Sequence, residues 1–484
     1  MTKPLQQTIH RGYQYLIDSQ KRDGSWNGPL SSRIRETLLV NEVSRLYGWE
    51  ELQQYSSVWL ESNRDLGDSD TEKLLNRAML SIYKQAPLEL IHPDLYDKVI
   101  VRKTLLIYCL ALINNIQVEV PDPYTSPLNI FQFISMYLQK LQGQIKGWAL
   151  AEMLCFKVII GKHINIDVKN EVAQLLELKT GKGNWLQNPA TTAMSLIALQ
   201  VAGKKIAPKP FEKYFARIQQ QDGGWSYCAI PLWDTGLSLE SLYLADKNDK
   251  TIPKALDYIE SHQNPDGGWG FDEGLESEAD TSSILLYALR NSGRKAMLKK
   301  AVNYYKKLQF KDGEFAGLWP VWRQSEAPSL EVVSHIVSAL QGCKADIDCT
   351  KALTWIAKQV ESGNWKADWG RNLPYAINSI TQATRKDFPE LIKYLNDSQN
   401  SDGGWGATKG EKSNASATAN AIMTFKWLNK AKYAKEIEDG TQYLCSTQAE
   451  SGTWPRVKEV IGPRPFVYAD DSSTHNFVIQ ALLI

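Results

Sequence analysis

Long apolar runs are missing from this chain. The longest, Leu105 to Ile113, spans nine residues, against the roughly 20 needed to cross a bilayer. A spanning segment is therefore not expected, while peripheral contact with a membrane stays open. The opening stretch, MTKPLQQTIHRGYQYL, is polar and carries no secretory-signal pattern. Cysteines are few: Cys109, Cys155, Cys228, Cys343, Cys349 and Cys445 show no CxxC spacing and no adjoining histidine pattern. They read as buried reduced thiols of a cytoplasmic protein, with neither disulfides nor structural zinc. An excess of either charge is also lacking, since 55 Lys plus Arg face 54 Asp plus Glu for a net charge of +1. With no basic stripe, nothing points to nucleic acid. Strand signals are scarce, so the expected class is all-α.

What the chain has in quantity is aromatic residues, with 16 Trp and 21 Tyr, and a phrase that returns. The clearest copies end in Asp-Gly-Gly-Trp at Trp225, Trp269 (QNPDGGW from Gln263) and Trp405 (QNSDGGW from Gln399). Looser copies end at Trp185, Trp365 and Trp454, a degenerate one runs from Gln309 to Gly313, and another stands near the N-terminus at Gln20–Trp26. A period of about 40–50 residues means stacked supersecondary units. Each unit reads as an amphipathic helix, a turn whose glycines permit reversal, and a second helix opened by Ser, Thr or Asp. Second helices are expected at 191–203, 235–246, 281–293, 329–342, 416–428 and 472–483. They are apolar on nearly all sides and belong in an inner ring, with the more polar first helices outside.

Six hairpins starting near residues 210, 252, 297, 350, 388 and 436 give an α6–α6 barrel. The expected division is 1–26 for the barrel's first helix, 27–205 for a second, inserted helical domain, and 206–484 for the barrel. All inner-helix N-termini then lie at one end of a central cavity, and the loops before them carry the functional groups.

The repeated Q-x-x-D-G-x-W turn resembles the hallmark of the class II terpene cyclases, the family of squalene–hopene cyclases and bacterial diterpene cyclases. The family's barrel carries an Asp-x-Asp-Asp-Thr or Asp-x-Asp-Thr-Thr motif at the second inner helix. The matching stretch here puts Glu278 first, Asp280 in the middle and Thr281 third. The resemblance implies that Asp280 is the proton donor, with Glu in the first place as a departure. A second patch, Ala327 to His335, is similar to the squalene-cyclase stretch Asp-Pro-x-x-x-Asp-Val-Thr-x-His. There a histidine bonds the catalytic Asp and an acidic residue orients it, which implies those roles for His335 and Glu331.

The chemistry is arguable from the residues themselves. Protonating an unactivated alkene needs a neutral carboxyl in a dry pocket, and both burial and a neighbouring carboxylate keep a carboxyl protonated. Carbocations then need aromatic faces, for which Trp233, Trp319, Trp322, Trp369 and Tyr375 are the candidates near the expected barrel mouth. Other readings exist for each group: Asp-Thr before a helix also serves as an N-cap, and a buried histidine is often only structural. The chain has no Asp-Asp-x-x-Asp segment to ionise a diphosphate. The expected reaction is therefore cyclisation of geranylgeranyl or farnesyl diphosphate to a bicyclic diphosphate with that group retained, aided by Mg²⁺ and no organic cofactor. A squalene-type or meroterpenoid substrate is the alternative within the class. A protein prenyltransferase β-subunit, with Asp348-Cys349 as its only adjacent Asp–Cys pair, and a non-catalytic scaffold are the alternatives outside it.

Overall fold

The computed structural model describes residues 3–28, 30–84, 98–180, 183–323, 325–366, 368–462 and 465–484. The chain forms two compact units. Unit one comprises Met1–Pro29, Ala229–Ile461 and Tyr468–Ile484, and unit two comprises Leu30–Cys228 and Gly462–Val467. After α1 (Lys3–Asp18), unit two runs through α2 (Ile34–Tyr47), α3 (Glu50–Ser62), α4 (Asp70–Tyr83), α5 (Lys98–Ile113), α6 (Pro127–Lys140), α7 (Gly147–His163), α8 (Lys169–Glu177), α9 (Pro189–Val201) and α10 (Lys209–Ile218). Unit one resumes with α11 (Pro231–Ala245), α12 (Ile252–Ser261), α13 (Ala279–Leu289), α14 (Lys295–Leu308), α15 (Leu330–Gly342), α16 (Thr350–Glu361), α17 (Leu373–Thr384), α18 (Pro389–Ser398), α19 (Ala415–Leu428) and α20 (Ala434–Ser446). It ends with the strands β1 (Lys458–Ile461) and β2 (Val467–Ala469) and with α21 (Asp471–Leu483). Among the described residues, that hairpin is the one named sheet in an otherwise helical chain.

Unit one is an α/α barrel. Its inner helices pack in a closed cycle, α11 on α13, α13 on α15, α15 on α17, α17 on α19, α19 on α21 and α21 on α11. These helices are apolar on nearly every side, so each buries its whole circumference between two neighbours and an outer helix. The outer helices are one-sided: α12 buries Ile252, Ala255, Leu256, Tyr258 and Ile259 and leaves its charged face to solvent.

The repeated turn staples outer helices together. In the copy ending at Trp269, the Gln263 amide donates to Gly267 O (2.9 Å) and to Met297 O (3.1 Å) on α14. The indole N–H of Trp269 reaches back to Ile259 O at 2.9 Å. Gly267 sits at φ +97°, and a Cβ there would meet the carbonyl oxygen of Lys300 at 2.3 Å. Only glycine fits both the dihedral and the approach. The same indole-to-carbonyl bond recurs from Trp26 to Leu16, Trp405 to Leu395 and Trp454 to Leu444. Gln448 closes the outer ring by donating to Thr8 O of α1 at 3.0 Å.

Two sequence expectations change here. The hairpin near residue 210 does not open the barrel. α10 and its turn belong to unit two, whose first segment ends at Cys228 instead of 205. The turns ending at Trp26, Trp185, Trp225, Trp269 and Trp405 also donate the Trp backbone N–H to a hydroxyl on an inner helix. Trp26 finds Thr235 on α11, 209 residues later, whereas Trp225 finds Thr37 on α2, 188 residues earlier. The motif specifies the kind of partner but not its position in the chain, so spacing alone assigned the hairpin to the wrong unit. The sixth inner helix is accordingly α17, which the sequence pattern missed, and the 191–203 segment (α9) lies in unit two. α17 is capped by Asn372 instead of a hydroxyl residue.

Within unit two, α2, α4, α5, α7 and α9 also pack in a cycle. Its interior holds buried charge: Glu152 lies 3.8 Å from Arg35, 3.4 Å from Arg102 and 3.8 Å from Lys103. Burial, then the charge of Arg35, lowers the Lys103 ammonium to about 7. Among the described residues, no helix is long and apolar enough to cross a membrane.

Candidate active site

The site is built at the N-terminal ends of α13 and α15. Glu278 precedes α13 with extended backbone, and its carboxylate accepts the N–H groups of Asp280 (2.8 Å) and Thr281 (2.6 Å). The longer arm of Glu lets it act as an N-cap from this place. The segment is pinned from three sides. Glu278 N–H donates to Trp269 O (3.0 Å), Ala279 N–H to Val321 O (2.8 Å), and the Tyr305 hydroxyl to Ala279 O (2.7 Å). Asp280, one residue into the helix, is thereby fixed with 8 % of its surface exposed.

His335 comes from the neighbouring helix α15. Its Nδ1 lies 2.7 Å from Asp280 Oδ1, and its Nε2 lies 3.0 Å from Ser379 Oγ and 3.2 Å from the Tyr375 hydroxyl. The ring is thus held from both sides in a buried setting. Glu331, one turn earlier, plays a different part from that expected. Its carboxylate accepts the backbone N–H groups of Asp368 (2.8 Å) and Trp369 (3.0 Å), anchoring the loop before α17. It acts on His335 by charge, while the orienting hydrogen bonds come from Asp280, Ser379 and Tyr375. Ser379 was not foreseen. Its signal was available, because it lies one turn after Tyr375 on a helix opened by Asn372, but the helix itself went unrecognised.

Three buried carboxyl groups crowd one buried imidazole. Burial first, and then the charge of Asp280, pushes both Glu278 and Glu331 up to about 7. Burial opposes charge on His335, but the adjoining Asp280 more than offsets it and holds the imidazole above its ordinary value. Buried carboxylates repel one another and lose hydration, so Glu278 and Glu331 keep their protons up to near neutrality. The arrangement keeps protons near neutrality beside an apolar interior, which is what a strong general acid requires.

The aromatic candidates separate into two groups. Tyr375 touches His335, and the Trp233 ring lies 6.4 Å from it, with its indole N–H on Ser473 Oγ. Trp369 adjoins Glu331 through its backbone and stacks edge-on with Trp322 at 5.4 Å. Trp319 does not belong with them. It is fully buried and donates its indole N–H to Tyr305 O at 3.0 Å, the stapling geometry of the repeat turns. Asp470 caps α21, its carboxylate accepting the N–H groups of Ser472 and Ser473. Asp234 lies inside α11 and accepts the Gly28 N–H at 2.7 Å.

Behind His335, a cavity runs inside the barrel. It opens to solvent and is lined by His335, Tyr375, Ser379, Asn378, Gln382 and Glu240, among others.

A buried acid beside the site gives the molecule a pH signature. Glu459 on β1 accepts from the Asn372 amide at 2.9 Å, and burial, with a smaller push from Asp470, raises its carboxyl to about 7. The folded state therefore holds this proton after the unfolded chain has released its own near 4.5. Its stabilising contribution is complete below that value and is lost as pH rises through about 7. Glu459→Gln should flatten the decline in stability between about pH 5 and pH 8 by roughly 3 kcal/mol, taking about 1.4 kcal/mol per unit. Denaturant titrations at the two pH values check this, and an unchanged decline would exclude Glu459 as its source.

The squalene-hopene cyclase C-terminal domain family matches residues 323–482, and the prenyltransferase alpha-alpha toroid domain family matches residues 137–319. A drimenyl diphosphate synthase of Streptomyces showdoensis is 22% identical over 363 residues, which cover 70% of this chain and 67% of that protein. A second drimenyl diphosphate synthase, from Streptantibioticus cattleyicolor, is 25% identical over 45% of this chain and 44% of its own length. A squalene–hopene cyclase of Bradyrhizobium diazoefficiens is 24% identical over 47% of this chain and 44% of that protein. Among solved structures, the ent-copalyl diphosphate synthase of Streptomyces platensis shares the fold, with a TM-score of 0.59 and 15% identity over 100% of this chain and 99% of that one.

Proposed function

Because the chain belongs to the class II terpene cyclases, we propose that it cyclises a linear prenyl diphosphate, farnesyl or geranylgeranyl, to a bicyclic diphosphate. The observation that carries this reading is the 2.7 Å contact of Asp280 with His335 at the head of a barrel helix. Asp280 transfers its proton to the terminal carbon–carbon double bond. The tertiary cation so formed is attacked by the next double bond, and the second ring closes likewise. A proton then leaves the final cation, so substrate and product are isomers. His335, donating from Nδ1 to Oδ1, stabilises the carboxylate left behind. Trp233, Trp369 and Tyr375 offer π-faces to the passing charge, each contributing up to about 2 kcal/mol when desolvated. Thr281 and Glu278 hold the start of the helix, and Glu331 holds the loop that carries Trp369.

The diphosphate assignment is supported by the two drimenyl diphosphate synthases and by the absence of a diphosphate-ionising motif. Among the described residues, no group of three or more His, Cys, Asp or Glu side chains is gathered for a metal. Mg²⁺ in this reading comes with the substrate, since it usually binds through one or two carboxylates plus phosphate oxygens. Burial, reinforced by Asp348, raises the Cys349 thiol of the one adjacent Asp–Cys pair to about 11. A neutral polyprene is the second reading, favoured by the squalene-hopene cyclase match over residues 323–482. Incubation with farnesyl diphosphate, geranylgeranyl diphosphate and squalene separates the two. A bicyclic product recovered as its alcohol only after phosphatase treatment supports the first, and turnover of squalene alone would replace it with the second.

A further inference from the structure

We propose that Glu459 is the base that ends the reaction, taking on Oε1 the proton that the last carbocation gives up. The inference rests on the cyclisation proposed above and names a group which that reading leaves open. β1 brings Glu459 to the end of the barrel that carries Asp280. Its backbone pairs with the loop before α17: Arg371 N–H donates to Glu459 O (2.8 Å) and Ile461 N–H to Trp369 O (2.8 Å). The carboxylate then sits at the starts of α17 and α19. Oε2 accepts from the Asn372 amide at 2.9 Å, and that amide also donates to Ser416 Oγ at 3.2 Å. In the closed cycle of inner helices, α17 and α19 are two and three places from α13, so Glu459 stands across the barrel mouth from Asp280. Tyr375, in the first turn of α17, feels both groups. Burial, and then the charges of Glu331, Asp280 and Glu459, raise its phenol well above the ordinary value.

The second oxygen singles Glu459 out. The residue is 6 % exposed and, among the described residues, its Oε1 has no hydrogen-bond partner. A buried acceptor left unpaired costs roughly 1–3 kcal/mol, and such groups persist where a bound molecule uses them. The other carboxyls at this end are engaged or covered. Glu278 and Glu331 accept backbone N–H groups, Asp470 caps α21, and Asp234 has no exposed surface. The chemistry matches the placement. Protonation begins at the double bond farthest from the diphosphate, and after two ring closures the positive charge sits on the opposite side of the fused rings. A carbon beside that cation then loses a proton. Its C–H bond breaks, the electron pair becomes the new carbon–carbon double bond, and the proton forms an O–H on Oε1. The product leaves, and Glu459 releases its proton to solvent. Burial, with a smaller push from Asp470, raises this carboxyl to about 7. It is thus a stronger base than an ordinary carboxylate, and a cation beside it favours its ionised form.

Glu459→Gln keeps the size of the side chain and an acceptor for Asn372 but cannot take the proton. Consumption of farnesyl or geranylgeranyl diphosphate should stay within about fivefold of wild type, because protonation by Asp280 comes first. The product should change instead. About half or more should carry an added water, seen as a diol after phosphatase treatment, or hold its double bond at another position, the two fates of a cation without its base. Glu459→Asp, whose carboxylate is one methylene shorter, should give a mixture in which part of the wild-type alkene returns. A folded Gln variant that forms the wild-type alkene alone, at whatever rate, would overturn the proposal, since a structural role can slow the enzyme but not redirect the cation. Should the Gln variant lose helicity, the Asp variant decides, and the wild-type alkene alone would overturn the proposal there. A wild-type product that is already a diol would also overturn it, with water ending the reaction. If wild-type protein converts no prenyl substrate at all, it is the functional reading that fails.

Discussion

Asp280→Asn lowers cyclisation by at least about 10³-fold, within the range that general acid catalysis supplies, and leaves the fold intact. The amide keeps the shape of the carboxyl and still accepts a hydrogen bond from His335, but it has no acidic proton to give. Asp280 does not cap α13; Glu278 does, through its bonds to the N–H groups of residues 280 and 281. Helicity by circular dichroism and the unfolding midpoint should therefore match wild type to within the scatter of a surface substitution. The two readouts together are decisive, since loss of activity with loss of helicity would speak only of structure. Retained turnover in a folded variant would remove Asp280 from the mechanism.

The second large effect belongs to His335. Replacing it with Phe takes away the donor to Asp280 Oδ1 and the partner of Ser379 Oγ, and should reduce kcat by about 10²-fold. His335→Gln, which keeps a side-chain N–H on a flexible arm, should recover about tenfold of that loss. The pH dependence separates an electrostatic part from mere space-filling. The charge of Asp280 holds His335 above its ordinary value, and burial holds Glu278 and Glu331 near about 7. In wild type, activity should fall as pH rises beyond that region, because Glu278 and Glu331 then lose their protons and put negative charge beside the acid. Without His335, one proton-holding group is gone and the shape of the profile must change. A uniform loss at every pH, with the profile otherwise unaltered, would reduce His335 to a packing residue.

Much of this was legible before any coordinates. The turn motif contains all its own chemistry: a Gln to clamp two carbonyls, glycines where a Cβ would collide with the next helix, and a Trp to bond ten residues back. Such local rules read directly from sequence, and with them the all-α barrel and the place of Asp280 at the start of an inner helix. The Asp280–His335 contact followed from motif resemblance. What stayed hidden depended on which distant segment supplies a partner. Trp26 and Trp225 carry like turns, yet their acceptors, Thr235 and Thr37, lie in different units. Trp319 looked exposed to the mouth because its neighbours are loop residues, but Tyr305 on α14 claims its indole. Glu331 looked like the orienter of His335 because they share a helix face, whereas two backbone N–H groups from a later loop take its carboxylate. Ser379 and the cavity it lines arise only when α15 and α17 are side by side. The buried charges of unit two, centred on Glu152, are likewise scattered in sequence and meet only in space.

The most direct measurement runs the reaction in D₂O with farnesyl or geranylgeranyl diphosphate and weighs the intact product. Protonation by a solvent-recharged Asp280 predicts a bicyclic product that keeps both phosphates and carries one deuterium, on the ring carbon beside the gem-dimethyl carbon. Release of inorganic diphosphate with an unlabelled hydrocarbon would contradict it, because ionisation of the diphosphate would then have started the cyclisation.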